Sequence, residues 1–387
     1  MKKRFIIILV LWLLADLYFF MAVLRLTQNP FIHLIYWLIE VSIISSVIYS
    51  VVKKDTSLLS RLMAPMLLVF VPKLFGSAIL LIEDISRLFR GFPARSSTVS
   101  EIAVWVSAVL FLILLYGITR GRHHYKVHQI GLYFDDLPEA FDGFKITQLS
   151  DIHAGSFSDT KGVQKGIDLV NAQNSDLILF TGDLVNNQAI EMEPWIPLFS
   201  QLKAAYGKYS ILGNHDYGDY IRWEHEKQKT ANLNRLKEIH REIGFQLLLN
   251  ESTKIIKNGD TLELIGVENW GKGGFHKYGD LKKAVAGIED SAFKILMSHD
   301  PSHWEAIILD FPQHIHLTLS GHTHGMQFGF EVFGIKWSPI KLMYKQWAGL
   351  YSQDNQYLYV NRGFGFLGLK GRVGIWPEIT VITLNRK

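Results

Sequence analysis

The chain has 387 residues, of which 48% are hydrophobic, and a formal net charge of +4. The length accommodates more than one domain, and so small a charge gives no argument for a nucleic-acid partner. There is no cysteine, which excludes disulfide frameworks, thiolate zinc sites and cysteine nucleophiles.

Four apolar runs fill the first 120 residues, at about 5–24, 31–52, 62–85 and 101–119. Each approaches the ~20 residues that a helix needs to cross a bilayer. The first is too long for a secretory signal, contains Asp16, lacks a small-residue cleavage site and precedes three further runs. The expectation is a four-helix transmembrane region over residues 1–120. The protein would be multi-pass in the inner (cytoplasmic) membrane, with the lipid bilayer as a partner. Lys2, Lys3, Arg4, Lys53, Lys54, Arg61, Arg120, Arg122 and Lys126 would lie on one side, against Arg25, Arg87, Arg90 and Arg95 on the other. That asymmetry predicts a cytoplasmic domain after residue 120. Asp16, Glu40 and Lys73 fall inside the runs, where charge is costly. They are read as ion pairing within the bundle, with a functional role as the alternative. Pro65 and Pro72 predict a kinked third helix.

Residues 121–143 read as a linker and first strand, and 144–387 as a second domain. There "FKITQLSD" (144–151), "DLILFTGD" (176–183), "KYSILGNHD" (208–216), "LELIGVEN" (262–269), "FKILMSHD" (293–300) and "HIHLTLSGH" (314–322) are short aliphatic and β-branched runs. Each reads as a buried strand that ends in polar residues. Helical spacing appears between some of them, as in Val163, Ile167 and Val170, and in "NLNRLKEIHREIG" up to Gly244. Strands alternating with helices predict an α/β layered domain.

In such folds ligands bind beyond the carboxyl ends of the strands. The ends here carry Asp151 and His153, then Asp183, then Asn214, His215 and Asp216, then His299, then His322 and His324. One aspartate after a strand is usually a cap or turn residue. Five of these strand ends in one order, all with nitrogen or oxygen donors, predict one shared metal site. The other histidines read as surface or core residues, with hydrogen bonds behind the metals considered for His314 and His316.

The series "SDIHAG … TGDLV … GNHDY … SHDP … GHTHG" resembles the calcineurin-like metallophosphoesterase superfamily over residues 144–384. "WAGLY", "LYVNRGFG" and "WPEITVITL" resemble its bacterial integral-membrane branch. The resemblance implies two facing mixed sheets flanked by helices, with two divalent metal ions at one edge. Manganese is the expected metal, with iron, zinc or magnesium also compatible. It implies one ion held by Asp151, His153, Asp183 and His324, and a second by Asp183, Asn214, His299 and His322, with Asp183 bridging. It further implies that His215 faces the substrate without touching metal, that Asp216 orients or polarises His215, and that a metal-bridging hydroxide attacks phosphorus. Met326 departs from relatives that carry a second glycine after "GHTHG".

The stretch 326–351 interleaves Phe328, Phe330, Phe333, Trp337, Tyr344 and Trp347 with Lys336, Lys341 and Lys345. It reads either as a strand pair packed on the core or as a lip that suits an anionic headgroup layer. "NWGKGGFHKYGD" (269–280) is a glycine-rich basic loop able to cover such a headgroup. Candidate substrate contacts are therefore Lys272, His276, Phe328 and Trp337. The expected activity is hydrolysis of a phosphodiester or pyrophosphate bond in a lipid-linked substrate. Cleavage of the pyrophosphate in a nucleotide-activated acylated sugar is one case that the resemblance suggests. The rivals are an anchored phosphatase for soluble or protein phosphoesters, and a non-catalytic membrane sensor or transporter module.

Overall fold

A computed structural model describes residues 2–274 and 276–387 as two compact units, Met1–Thr119 and Arg120–Lys387. The first unit is four helices: α1 (Lys2–Leu26), α2 (Pro30–Lys53), α3 (Thr56–Leu88) and α4 (Ser97–Thr119). All four are long and apolar enough to cross a membrane. Local chemistry sets their ends. The Asn29 side chain accepts the Phe31 N–H, Pro30 occupies the first turn, and Asp55 accepts the Leu58 N–H. α3 stays helical through Pro65 and Pro72, and Ser107 of α4 donates to the Pro72 carbonyl at 2.9 Å. Lys73 draws Asp16 (3.1 Å) and Glu40 together, so one ammonium on α3 ties α1 to α2.

The second unit is layered. Its strands in chain order are β1 (Lys126–Phe134), β2 (Phe144–Leu149), β3 (Leu177–Phe180), β4 (Lys208–Ser210), β5 (Gln246–Leu247), β6 (Glu251–Lys257), β7 (Asp260–Gly266), β8 (Lys294–Met297), β9 (Leu317–Ser320), β10 (Phe330–Val332), β11 (Ile335–Trp337), β12 (Gly349–Gln353), β13 (Gln356–Val360) and β14 (Glu378–Arg386). One sheet has the order β1-β14-β2-β3-β4-β5 and the other β12-β13-β9-β8-β7-β6; β10 and β11 form a separate hairpin. Both large sheets are mixed. β2 through β5 run parallel, with β14 antiparallel to β2, and β13, β9, β8 and β7 run parallel between antiparallel edges.

The two-residue period of a strand sorts these side chains into three layers. Leu177 and Leu179 face inward with Ile295, Met297, Leu317 and Leu319 of the opposite sheet. Ile178 and Phe180 face outward onto α5 (Thr160–Asn171) and α7 (Glu226–Glu242). Leu296 faces the other flank, with Leu281 and Ala284 of the short α8 (Leu281–Ala284) and Trp304. The expected architecture of two facing mixed sheets flanked by helices is therefore present. The carboxyl ends of β2, β3 and β4 and those of β8 and β9 come to one edge. There Gln148 donates across to the Ser320 carbonyl at 2.9 Å and the Gly321 N–H donates to the His299 carbonyl at 2.9 Å.

Candidate metal centre

The chain turns sharply after β2, β3 and β9. Asp151, His153, Asp183, His322 and His324 all have left-handed backbone, with φ of 52°, 48°, 61°, 70° and 52°. Non-glycine residues rarely adopt that conformation, and its concentration here marks strain held at a functional edge. The glycines between them allow close approach. A Cβ on Gly213 would collide with the Asp183 carboxylate, and one on Gly321 with the Asp151 carboxylate.

The turns bring the donors into two groups. Asp151, His153 and His324 converge, and so do Asp183, His299 and His322, with the ligand atoms of each group within 4.8 Å of one another. In the first, His324 Nε2 lies 3.1 Å from Asp151 Oδ1 and 3.0 Å from His153 Nε2. In the second, the Asn214 amide oxygen lies 3.1 Å from His299 Nε2 and 2.8 Å from His322 Nδ1. Asp183 Oδ2 stands between the groups, 3.5 Å from His153 Nε2 and 3.2 Å from His299 Nε2. All seven residues expected to hold metal are thus gathered, and Asp183 occupies the shared position.

The charges suit dications. Burial pushes His153 down to about 3, so it presents a neutral nitrogen. Asp151 and Asp183 stay ionised against burial because His324 lies beside the first and His299 beside the second. Burial would discharge His299, but the Asp183 carboxylate lifts it to about 10. The group therefore collects positive charge beside that carboxylate, which is what a bound ion would supply in its place. Imidazole nitrogens, ionised carboxylates and an amide oxygen are the donor set that suits two divalent ions.

Surrounding side chains fix the ligands. His299 Nδ1 donates to the Thr181 carbonyl at 2.7 Å, and Asn214 donates its N–H to the Tyr220 hydroxyl at 2.8 Å, which turns the amide oxygen inward. His322 Nε2 meets the Tyr344 hydroxyl at 2.9 Å, and Tyr344 in turn donates to Asp300 at 3.3 Å. Arg372, fully buried, donates to the carbonyls of Arg362 (2.7 Å), Gly365 (2.8 Å) and Gly363 (3.1 Å), and lies 3.3 Å from His324 Nδ1. Tyr220, Tyr344 and Arg372 stand outside the motif blocks. Tyr220 and Arg372 carry no pattern that marks them, Tyr344 is marked only as one aromatic of the 326–351 stretch, and Asp300 sits in plain view in "SHDP".

One expectation needs correction, and one alternative drops out. Asp216 does not orient His215. Its Oδ1 accepts the N–H groups of Leu184 (2.8 Å) and Val185 (3.2 Å), and its Oδ2 those of Asp183 (2.9 Å) and Gly213 (2.9 Å). Burial and the Asp183 charge push Asp216 up to about 7, against the pull of those donors. His215 instead donates from Nδ1 to the Asn186 carbonyl at 2.7 Å, and Glu191 secures that turn by accepting the Asn186 N–H at 2.6 Å. Nor do His314 and His316 support the metal ligands. His316 bonds Asp136 at 2.8 Å and accepts the Lys294 N–H at 3.0 Å, at the amino end of β9, and the ring of His314 packs edge-on against it. Strand direction decides this, because the metal donors lie beyond the opposite end.

The substrate candidates divide. His276 borders a cavity of about 210 Å³ with Asn214 and Tyr220, and Lys272 borders one of about 340 Å³ with Tyr344 and Lys345. Phe328 bridges to Val373, and Trp337 stacks on Phe330 in the β10–β11 hairpin. Met326 has φ 54° and is half exposed, so this position keeps a backbone conformation that favours glycine.

Residues 144–326 match the family profile described as "Calcineurin-like phosphoesterase", and residues 3–122 match "Probable Calcineurin-like phosphoesterase, transmembrane domain". The "Uncharacterized metallophosphoesterase YkuE" of Bacillus subtilis is 33% identical over 253 residues, which are 64% of this chain and 82% of that protein. The chain belongs to the calcineurin-like metallophosphoesterase family. Another relative of this metallophosphoesterase is the "Transmembrane protein with metallophosphoesterase domain" of Danio rerio, 28% identical over 293 residues. The match covers 74% of this chain and 62% of the zebrafish protein, so the chain spans less than two thirds of that relative. Among solved structures, phosphopantetheinyl hydrolase from Mycobacterium tuberculosis aligns over 52% of this chain and 89% of its own, at 13% identity and a TM-score of 0.32. The family and the four long apolar helices make this protein a membrane-associated metallophosphoesterase, of a family that hydrolyses phosphoesters.

Proposed function

We propose that this metallophosphoesterase hydrolyses a phosphodiester or pyrophosphate bond of a lipid-linked substrate with two bound divalent ions, manganese foremost, on the cytoplasmic side of the inner membrane. The observation that carries the two-ion reading is the position of Asp183 Oδ2, between His153 Nε2 and His299 Nε2 at 3.5 and 3.2 Å. A carboxylate there offsets the repulsion of two dications a few ångströms apart. Asp151, His153 and His324 would complete one side, and Asn214, His299 and His322 the other.

When bound, the ions supply Lewis acidity and a nucleophilic water at neutral pH. The chain supplies position and protons. Asn214 would ligate without charge, which would keep the pocket attractive to a phosphate anion. His215 has committed Nδ1–H to the Asn186 carbonyl, which leaves Nε2 to protonate the departing oxygen. Its ring lies 5.0 Å from that of His153 and remains partly accessible. Lys272 and His276 line cavities, and in this reading they would meet an anionic headgroup. The lipid-linked class is supported by the membrane-spanning helices and by the apolar segment that starts two residues after His324. The cytoplasmic placement is supported by the Lys and Arg asymmetry of the loops.

Purified protein in detergent, supplied with manganese, should hydrolyse lipid-linked diesters or diphosphates faster than soluble nitrophenyl esters. Asp183→Asn should abolish the activity and lower bound metal below two ions per chain. Equal or better turnover of soluble esters would overturn the lipid reading. Full activity of Asp183→Asn with two ions retained would overturn the bridge.

A further inference from the structure

Exposed large hydrophobic side chains are unevenly spread over the second unit. Among the described residues, five (Tyr133, Ile190, Tyr220, Ile256 and Tyr278) are scattered singly before residue 326, and nine more fall within 326–350. Isolated exposed apolar residues are normal, but a contiguous set marks a contact surface. The set is centred on the β10–β11 hairpin and the turn after it. Phe333 is 99% exposed, Leu342 87%, Met343 74% and Ile335 66%.

The hairpin is not a loose strand pair. At its base Glu331 pairs with Arg362 at 2.5 Å, and Arg362, itself buried, also holds Glu378 of β14 at 2.5 Å. Lys336 donates to the Ala348 carbonyl and lies over the rings of Trp347 and Tyr351. Phe330 and Trp337 stack across the strands, and the Gly329 N–H donates to the Val373 carbonyl at 3.0 Å. The chain therefore fixes the base with ion pairs and leaves the tip bare. Lys341 and Lys345, both exposed, flank Leu342 and Met343 in the chain, and Lys345 pairs with Glu305 at 2.7 Å.

We propose that this hairpin and the turn at Leu342 and Met343 seat in the interfacial layer of a lipid bilayer, with Phe333 and Leu342 foremost. Three features favour a bilayer over a folded partner. The apolar residues form a projecting tip, whereas protein partners favour packed, desolvated pockets, and a fluid medium needs no complementary shape. Aromatic and aliphatic groups beside lysines match the chemistry of an anionic headgroup region. The domain is also covalently joined to membrane-spanning helices, so it meets the bilayer at high effective concentration. The inference rests on the membrane-anchored part of the proposed function and deepens it. Tyr344, next to Met343, hydrogen bonds His322, so a lipid-linked substrate would pass from this surface directly to the metal ligands.

The chain has no cysteine, so single cysteines report unambiguously. Phe333→Cys and Leu342→Cys, labelled with an environment-sensitive fluorophore, are compared with Ile190→Cys and Ile256→Cys. The full chain is used, in nanodiscs that contain anionic lipid. At 333 and 342 the emission should shift to the blue and be quenched by lipids spin-labelled near the headgroup, while 190 and 256 show neither effect. Spectra at 333 and 342 like those of the controls would overturn the proposal. So would a blue shift without lipid quenching, which would mean burial against a second copy or another protein. No substrate is present, so failure to cleave lipids and failure to touch the bilayer are read separately.

Discussion

The buried carboxylate of Asp216 lies behind Asp183 and accepts its backbone N–H at 2.9 Å. Three more N–H donors converge on the same carboxylate, from Leu184, Val185 and Gly213. Asp216 is therefore the tie that shapes the turn from which Asp183 projects. Asp216→Asn would set an amide N–H against some of these donors, at a cost of about 1–3 kcal/mol for each buried group left unpaired. The expected outcome is a lower melting temperature together with less than two metal ions per chain. A variant with unchanged melting and metal content, slowed only in turnover, would restore Asp216 to a role acting on His215.

His215 makes the contrasting case. Its backbone N–H donates to Asp183 at 2.9 Å, but its side chain is held by the Asn186 carbonyl rather than by a carboxylate. His215→Ala should lose about 10²–10⁴ in rate, the usual range for a positioned acid or base, with both ions retained. Elemental analysis beside the rate separates this from loss of a ligand.

Arg372 is a positioning residue. Its guanidinium gathers the carbonyls of Arg362, Gly363 and Gly365 behind His324 and, through the Gly365 N–H to the Asp151 carbonyl at 2.9 Å, secures the loop that carries Asp151. Lysine cannot reproduce the planar fork. Arg372→Lys should weaken metal binding about 10–100-fold, in the range for groups that orient ligands. Metal titration with the melting curve checks this, because a residue that merely staples the loops would lower stability and leave the affinity of the folded protein unchanged.

In the helical unit, Lys73 serves two carboxylates, Asp16 and Glu40, both buried. Lys73→Met strands them, and breaking a buried ion pair from one side costs about 3–5 kcal/mol. The triple variant that adds Asp16→Asn and Glu40→Gln should recover most of that loss. Thermal melting in detergent reads both. A single variant as stable as the parent would remove the ion group from the bundle's packing.

Two histidines away from the metal ligands predict acid sensitivity. Burial pushes His240 down to about 3 and His303 to about 4, and each is bonded to a serine hydroxyl, Ser210 at 2.9 Å and Ser298 at 2.8 Å. Both imidazoles gain a proton on unfolding wherever the pH lies below their ordinary value of about 6.5. Stability should therefore be fully present above about pH 6.5 and decline toward pH 4, by up to about 1.4 kcal/mol per pH unit for each group. Denaturation midpoints across that range measure the slope, and His240→Gln should flatten it.

Much of this protein is determined by short stretches of sequence. Length and hydrophobicity alone identify four membrane-crossing helices, because a bilayer leaves a helix few alternatives. Runs such as "DLILFTGD" fix both a strand and the donor at its end, because the chain reverses where the apolar run stops. What only the tertiary structure decided are relationships between distant segments. Asp216 sits next to His215 in sequence, yet its carboxylate turns to backbone donors at 183–185 that arrive from another strand. Tyr344 and Arg372 reach the metal ligands from 22 and 48 residues away. The stretch 326–351 reads equally well as core or lip because local composition is the same in both. Folding divides it, burying Trp347 and leaving Phe333 bare. Local pattern records which side chains want to leave water, whereas the packing of separate elements determines which of them have somewhere to go.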